Sequence, residues 1–236
     1  MTDPPPSITY SSVVSKDSVR IAFLIPALNN IDILATDIGN AYLNATPREK
    51  VYTTAGPEFG ADCQGKHVLI VRALYGLKLS GAAWRSHLAN TLSQLGYTSS
   101  LADPDVWFRA AVKEDGFQYY EYVLVYVDDL LVFTHQGEKT MKALEEFYHL
   151  KDGFDTPTRY LGAEVKQWFF PQDATKPNWA LSSVQYVKEA IRNIELHLHD
   201  KDCKLYIVHQ PMYTDYAPEL DITPLLDKES TTFYQS

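Results

Sequence analysis

The sequence predicts an α+β domain in which helices and a β-sheet form layers. Apolar residues recur at the spacing of one helix face from Trp84 to Leu95, and Gly96 follows as a typical helix terminator. Two apolar runs, residues 122–127 and 130–133, flank an Asp-Asp pair and predict a central hairpin that is at least partly covered on both faces. The remaining expected strands interleave irregularly with helices, which favours a layered α+β domain.

Before that helix, the chain is expected to form a first helix and a strand. Apolar residues between Val19 and Phe23 have helical spacing, and Pro26 is expected to end the helix because a proline breaks the backbone hydrogen-bond pattern. Residues 33–36 form a short apolar run, which predicts a strand. Asp37 then places a carboxylate at the C-terminal end of that strand.

The other elements follow from turn residues and apolar spacing. Residues 46–65 are rich in turn formers and are expected to be irregular, whereas residues 68–71 predict a strand. After the hairpin, apolar spacing predicts a helix over about 138–150. A further helix is expected to begin near Ser182, capped by that serine together with Gln185.

Composition describes an ordinary folded protein and argues against several classes. The chain has 236 residues, is 45% hydrophobic and 22% charged, and carries a formal net charge of -9, so a disordered chain is excluded. It contains no apolar run long enough to span a membrane and no targeting signal. Its two cysteines form neither a disulfide framework nor a metal motif. The negative charge argues against generic binding to nucleic acid, which depends on Lys and Arg.

The carboxylates of Asp37, Asp128 and Asp129 are the candidates for chemistry. The Asp128-Asp129 pair suits a tight hairpin turn, and Asp37 alone suits the cap of a following turn. The functional interpretation needs all three carboxylates at one edge of a sheet. Adjacent carboxylates repel unless a cation lies between them, and hard divalent ions such as Mg²⁺ prefer oxygen ligands.

Five motifs occur along the chain, and together they favour the functional interpretation of the carboxylates over the turn and cap interpretations. They are Asp37-Ile-Gly-Asn-Ala-Tyr-Leu-Asn44, the segment from Ala73 to Ser80 with Trp84 close behind, Ala102-Asp-Pro104, Tyr126-Val-Asp-Asp129, and Tyr160-Leu-Gly162 with Glu164. In order and spacing they resemble the reverse transcriptases of copia-like LTR retrotransposons, over roughly residues 8–212. A single motif would be weak support, but the set is strong.

The resemblance implies a fold and a division of the chain. The fold would be the palm of a right-hand polymerase, an antiparallel sheet backed by helices, with partial fingers and an incomplete thumb. Residues 8–166 would form the palm with partial fingers, and residues 167–211 the start of the thumb or connection. Residues 212–236 carry five acids and one lysine and are expected to be a loose acidic tail. The resemblance also implies a basic upstream fingers segment and a fuller thumb than these residues supply.

The resemblance implies RNA-directed DNA polymerase activity at the three carboxylates. Asp37 and Asp128 would ligate two Mg²⁺ ions, with Mn²⁺ as the other candidate ion, and Asp129 would support that site. The Ile38 carbonyl could complete the metal shell. Lys151 could be the acid that protonates the leaving pyrophosphate, although Lys151-Asp-Gly equally suits a helix end.

Further residues by resemblance would contact nucleotide or nucleic acid. Tyr42 would lie under the sugar of the incoming deoxynucleotide and exclude a ribose, although its apolar neighbours also suit a core position. Tyr75, Gly76 and Lys78 would contact the nucleotide. Contacts to primer or template are assigned to the set Arg72, Tyr126, Leu161 and Gly162.

The implied partners are an RNA or DNA template with its primer, deoxynucleoside triphosphates and the remainder of a retrotransposon polyprotein, with no membrane. The expected location is the cytoplasm, in a retrotransposon particle, or the nucleus.

Within the motifs, Gly39 stands where the family usually has lysine and Gly81 where proline is common. A catalytically inactive remnant, or a domesticated nucleic-acid-binding module that keeps the palm fold, is the alternative. A different metal-dependent phosphodiesterase is less favoured, because no water-activating His or Lys is evident near the carboxylates.

Overall fold

The structure is a computed structural model, and it describes residues 11–171 and 173–199 together with Leu205, Lys228 and Thr232. The chain divides into two compact units between Tyr186 and Val187. The first unit contains every candidate site residue.

Most elements lie in the first unit. Its helices are α1 (Lys16–Ala22), α2 (Leu24–Asn29), α3 (Ser80–Gln94) and α4 (Gly137–Glu145), with short 3-10 helices at Ala41–Asn44 and Pro57–Phe59. Its strands are β1 (Asp32–Ile38), β2 (Val51–Thr54), β3 (His67–Ile70), β4 (Thr98–Ser99), β5 (Val106–Val112), β6 (Gln118–Tyr126), β7 (Asp129–Thr134), β8 (Leu150–Asp155), β9 (Arg159–Tyr160), β10 (Ala163–Phe170) and β11 (Asp173–Ser182). Helix α5 (Val184–His199) crosses the division.

A six-stranded antiparallel sheet in the order β4-β5-β6-β7-β1-β8 is the centre of the first unit. Strands β9, β10 and β11 form a separate three-stranded sheet, and β2 pairs with β3 alone. The α+β prediction is therefore confirmed in its coarse form, an antiparallel sheet with helices.

The hairpin formed by β6 and β7 is buried on both faces, as its lack of alternation predicted. Val123 and Val132 point into one hydrophobic cluster together with side chains of α3 and α4. Leu124 and Leu131 point into a second cluster on the opposite face, which α1 helps to form. This two-sided burial is the reason for the continuous apolar run.

The end of α3 follows the sequence prediction closely. Gly96 has φ 86° and follows the last helical turn. Its N–H donates to the Ser93 carbonyl, and the Tyr97 N–H donates to the Leu92 carbonyl, both at 3.0 Å. This pair of bonds is the Schellman arrangement, and it satisfies carbonyl groups that the helix end leaves open.

Three predictions near the N-terminal half need correction. Pro26 does not end a helix: α1 ends at Ala22, and Pro26 lies in the first turn of α2, where its missing N–H has no helical partner to lose. Residues 46–65 are not wholly irregular, because they contain β2, which pairs with β3. Asp37 does not cap the following 3-10 helix, whose N-cap is Asn40.

Two helix predictions also need correction. Helix α4 ends at Glu145 instead of continuing to residue 150, because Leu150 pairs with Ile38 as part of the unpredicted strand β8. Ser182 is the last residue of β11, and the helix begins at Val184, whose N–H donates to the Ser182 hydroxyl at 3.4 Å.

The predicted domain boundaries and the predicted acidic tail are not tested by the structure. The domain boundaries at residues 166 and 211 stay predictions, and the acidic tail lies outside the described residues apart from Lys228 and Thr232. None of the helices in the described part of the chain is both long and apolar enough to cross a membrane.

Candidate active site

The strand register brings Asp37 and Asp129 together. Strands β1 and β7 pair so that Asp37 lies directly opposite Asp129, and β6 pairs with β7 so that Tyr126 lies opposite Asp129. Residues 127 and 128 form the two-residue turn between β6 and β7, so the turn lies one residue earlier than predicted. All three carboxylate residues are half-buried. The strand register therefore places the three residues at one end of the central sheet.

The turn that carries Asp128 has an unusual backbone. Val127 has φ 59°, which for a β-branched residue is a conformational outlier that costs on the order of 1–3 kcal/mol. A positive φ at only the first central position is the pattern of a type II′ hairpin turn, where glycine is the usual residue. The Ile38 N–H donates to the Asp128 carbonyl at 2.9 Å and ties the turn to β1.

The three carboxylates repel one another in this arrangement. Burial, and then the negative charges of Asp128 and Asp37, raise the pKa of Asp129 to about 6, while Lys151 acts to lower it. A divalent cation between these groups would relieve the repulsion.

The donor set fits Mg²⁺ in chemical kind and in charge, since three carboxylates offer the hard oxygen ligands that this ion takes. Within the described residues, however, no three His, Cys, Asp or Glu side chains are already gathered into a metal-holding group. Ile38 is fully buried, and its backbone lies between the Asp128 turn and β8. Its carbonyl remains a predicted fourth ligand.

Tyr42 and Tyr75 form a stacked pair beside the carboxylates. Tyr42 lies on the 3-10 helix after β1, and its ring centroid is 4.4 Å from that of Tyr75, with an angle of 31° between the ring planes. Burial raises the pKa of Tyr75, and the charges of Asp128, Tyr42 and Asp37 raise it further. Tyr75 therefore lies within electrostatic range of the acids. Tyr42 is half-buried and also packs against the hydrophobic cluster that contains Trp84.

The rest of the predicted nucleotide contacts lie on an exposed connection between β3 and α3. Gly76 has φ 90° with open space where a side chain would project, so its backbone conformation favours glycine and leaves room for a ligand. Arg72 and Lys78 are both exposed. Arg72 lies close enough to His87 to contribute, after burial, to lowering the pKa of that histidine.

A groove of about 360 Å³ runs from the carboxylates towards the predicted primer contacts. Asp37, Asp129, Lys151 and Arg159 contribute to its lining, as does Leu161 at the far side. The groove thus brings both signs of charge to one open surface.

Of the predicted primer contacts, Leu161 and Gly162 share one turn, and Tyr126 lies opposite Asp129. Leu161 and Gly162 have φ 47° and 78° and form the tight turn between β9 and β10. Burial raises the pKa of Tyr160, and the charges of Asp129 and Tyr126 raise it further. Tyr160, which precedes the turn, therefore lies within electrostatic range of both Asp129 and Tyr126.

Lys151 occupies a position that the sequence did not reveal. Strand β8 pairs with β1 so that Lys151 lies opposite Asp37. Its two following residues, Asp152 and Gly153, have φ 56° and 76° and form an irregularity in the strand, and the Thr36 hydroxyl donates to the Gly153 carbonyl at 2.8 Å. Such bulges commonly re-aim side chains beside functional sites. The signal available in the sequence was the Lys-Asp-Gly run, which equally suits a helix end.

Comparison with known proteins gives a consistent set of relatives. The family model described as reverse transcriptase (RNA-dependent DNA polymerase) matches residues 7–206. The chain is 30% identical over 163 residues to the retrovirus-related Pol polyprotein from transposon RE1 of Arabidopsis thaliana, covering 67% of this chain and 11% of that polyprotein. In Saccharomyces cerevisiae, it is 27% identical over 193 residues to a putative transposon Ty5-1 protein, covering 80% of this chain and 59% of the relative.

A third relative is the transposon Ty1-NL2 Gag-Pol polyprotein of Saccharomyces cerevisiae, which is 26% identical over 229 residues. That match covers 91% of this chain and 12% of the polyprotein. The chain thus spans between about a tenth and three fifths of the length of these relatives.

Proposed function

This chain belongs to the reverse transcriptase family of copia-like retrotransposons, and we propose that it is an RNA-directed DNA polymerase domain that adds deoxynucleotides to a primer 3′-hydroxyl. The observation that carries the proposal is the register that sets Asp37 opposite Asp129, with Asp128 in the adjoining turn. The family motifs that contain these acids lie 91 residues apart, and the fold joins them at one place.

In this proposal the six-stranded sheet is the palm of a right-hand polymerase. The segment containing β2 and β3 belongs to partial fingers, and the chain after residue 166 begins the thumb. The partners are a primed RNA or DNA template, deoxynucleoside triphosphates and the remainder of a retrotransposon polyprotein. The last of these is supported by relatives that are themselves Pol or Gag-Pol polyproteins.

The proposed reaction is an in-line displacement at the α-phosphorus of the nucleotide. The primer 3′-oxygen forms the new bond to phosphorus, and the bond to the pyrophosphate oxygen breaks. Two Mg²⁺ ions, held by Asp37, Asp128 and Asp129, would supply activation of the 3′-hydroxyl and neutralise charge on the pyrophosphate. The chain itself contributes orientation, because phosphoryl transfer needs little covalent participation by protein groups.

Tyr42 and Tyr75 are proposed to shape the sugar site. The stacked rings restrain each other, so the Tyr42 ring presents a fixed apolar surface to the sugar. A ribose 2′-hydroxyl placed against that surface would lose its hydrogen bonds to water without replacement, which disfavours ribonucleotides. Gly76 and Lys78 would contact the base pair and the phosphates.

The charged groove is proposed as the seat of the primer end. Leu161 lines this groove and forms the β9–β10 turn with Gly162, and Tyr126 lies opposite Asp129, which also lines the groove. Arg159 would face a primer phosphate, while the exposed Arg72 would contact template on the fingers side. Lys151 lies opposite Asp37 and would donate a proton to the departing pyrophosphate.

Primer extension by the purified full chain tests this function. With an RNA template, a DNA primer, deoxynucleotides and Mg²⁺, we expect the wild type and Asp62→Asn to extend the primer. Asp62 is an exposed acid outside the site and provides the matched control. Asp128→Asn should lose at least about 100-fold in rate, as on removal of an electrostatic partner of the transition state.

Failure of the wild type to extend, or equal extension by Asp128→Asn, would reject the polymerase function. If primed template still binds in that case, the alternative function, a non-catalytic nucleic-acid-binding module, would be favoured.

A further inference from the structure

Trp84 connects the motif after Ala73 to the turn that carries the carboxylates. Its indole Nε1–H donates to the Val127 carbonyl, with 2.7 Å between nitrogen and oxygen. Trp84 is 1% exposed, so the donor is buried, whereas Val127, which supplies the acceptor, is half-buried. Breaking the bond would leave a buried donor without a partner, which costs free energy.

The indole cannot easily change its orientation. Its ring lies edge-on to Tyr148 at 5.4 Å between centroids, and close to His87 at 6.0 Å. The Tyr148 hydroxyl in turn shares a 2.6 Å hydrogen bond with Thr91. Because Trp84 and Thr91 both belong to α3, the helix supplies the donor and also fixes its surroundings.

The two carbonyls of the turn are held from opposite directions. The Val127 carbonyl accepts the Trp84 indole N–H from α3, and the Asp128 carbonyl accepts the Ile38 N–H from β1. The turn needs such restraint, since Val127 has φ 59° and the neighbouring carboxylates repel. A strained conformation persists only when its surroundings determine it strongly.

We propose that Trp84 is a positioning residue: its indole N–H and the Ile38 N–H together clamp the turn that presents Asp128 and Asp129 beside Asp37. The role in catalysis rests on the proposed polymerase function, whereas the clamp itself does not. The proposal explains why a tryptophan, and not merely a large apolar residue, lies at this point of the helix.

Trp84→Phe tests the clamp, because it keeps a buried aromatic ring and removes the N–H. Trp107→Phe is the matched control, since Trp107 is also buried in the same hydrophobic cluster. Amide hydrogen exchange of residues 126–130 is measured in the full chain without metal. We expect Trp84→Phe to speed this exchange about three- to tenfold, the effect of one net hydrogen bond, and Trp107→Phe to leave it unchanged.

Equal exchange in the two variants, or no change in Trp84→Phe, would overturn the clamp. If Trp84→Phe does not fold, the wild-type chain provides the measurement. With ¹⁵N-labelled tryptophan, the Trp84 indole proton is assigned by elimination using Phe variants of the other three tryptophans. We expect it to exchange far more slowly than the indole proton of free N-acetyltryptophanamide, and equally fast exchange would overturn the proposal.

Steady-state incorporation tests the positioning role separately. Trp84→Phe should lower kcat about tenfold while KM for the deoxynucleotide stays within about twofold, because the Tyr42–Tyr75 site is untouched. Trp107→Phe should leave both values unchanged. A lower kcat in both variants alike would make Trp84 merely structural. An inactive wild type would reject the polymerase function, but the conclusion about the clamp from hydrogen exchange would not be affected.

Discussion

Asp129 lies opposite Asp37 across two antiparallel strands and directly after Asp128 in the chain, and all three side chains are half-buried. A protein gains nothing in stability from such an arrangement, because burial and like charges both disfavour the ionised form. Arrangements of this kind concentrate at functional sites, where a bound cation or substrate supplies the missing charge.

The raised pKa of Asp129 predicts how the metal-free chain responds to pH. The folded state keeps this proton up to a pH of about 6, whereas an unfolded aspartate loses it near a pH of about 4. The folded state therefore binds more protons in that window, and its stability falls as pH rises through it. Asp129→Asn removes this loss of stability. The melting temperature of Asp129→Asn minus that of wild type should therefore increase between pH 4 and pH 7.

Thermal unfolding in the presence of a chelator measures this difference. Asp62→Asn, which removes an exposed acid, should differ from wild type by the same amount at each pH. A difference between Asp129→Asn and wild type that does not vary with pH would contradict the assignment of a raised pKa.

The stacking of Tyr42 on Tyr75 predicts coupled effects on sugar selection. Tyr42→Ala should lower the ratio of kcat/KM for deoxy- over ribonucleotides by at least about tenfold, and Tyr75→Ala should produce part of the same change. The double variant should fall short of the product of the two effects, because each substitution also releases the other ring. Tyr52→Ala, on exposed β2, serves as the control. Unchanged sugar selection in an active Tyr42→Ala variant would show that Tyr42 does not exclude ribonucleotides.

Among the elements, those with local signals were predictable and those made by distant pairing were not. Helix α3 has regular apolar spacing and a glycine terminator, and the β6–β7 hairpin has two uninterrupted apolar arms. Strand β8 has neither, because its sequence is polar and irregular and its position depends on pairing with β1. The same difference applies to the site: Asp37, Asp128 and Asp129 could be named from motifs, whereas the location of Lys151 opposite Asp37 and the Trp84–Val127 bond depend on tertiary structure.

The Schellman end of α3 predicts a specific cost of substitution. Gly96→Ala should reduce the free energy of unfolding by about 1 kcal/mol, because alanine resists the positive φ that this position requires. Gly96→Asn should lose less, since asparagine tolerates the left-handed conformation better. Denaturant unfolding of the three proteins measures the order. Equal stability of Gly96→Ala and wild type would show that the helix end relaxes freely.

Charge over the whole molecule is unevenly distributed. The net charge of -9 includes the three candidate ligands and the acidic segment 212–236, whereas residues 61–92 carry four basic side chains and one acid, a local net of +3. The net charge of the whole chain is therefore not a sufficient argument against nucleic-acid binding, because it hides this positive segment. Segments of opposite charge let one face attract a polyanion while the rest repels it.

Arg72 belongs to that basic segment, and its contribution can be measured from the salt dependence of binding. Arg72→Gln should reduce the slope of log K against log salt for primed template by roughly 0.7–0.9, the effect of one lost phosphate contact. Lys16→Gln, at an exposed position of α1, should leave the slope unchanged. Equal slopes for wild type and Arg72→Gln would exclude Arg72 from the interface.

The proposed function requires Asp37 and Asp128 to act as parts of one catalytic site, and a double-mutant cycle on single-nucleotide incorporation measures whether they do. Rates are measured for wild type, Asp37→Asn, Asp128→Asn and the double variant on an RNA template with Mg²⁺. Each single substitution should lower the rate at least about 100-fold, and the double variant should be no slower than the slower single variant, as residues that act as a unit behave. Multiplicative losses, or a single variant as fast as wild type, would contradict the claim.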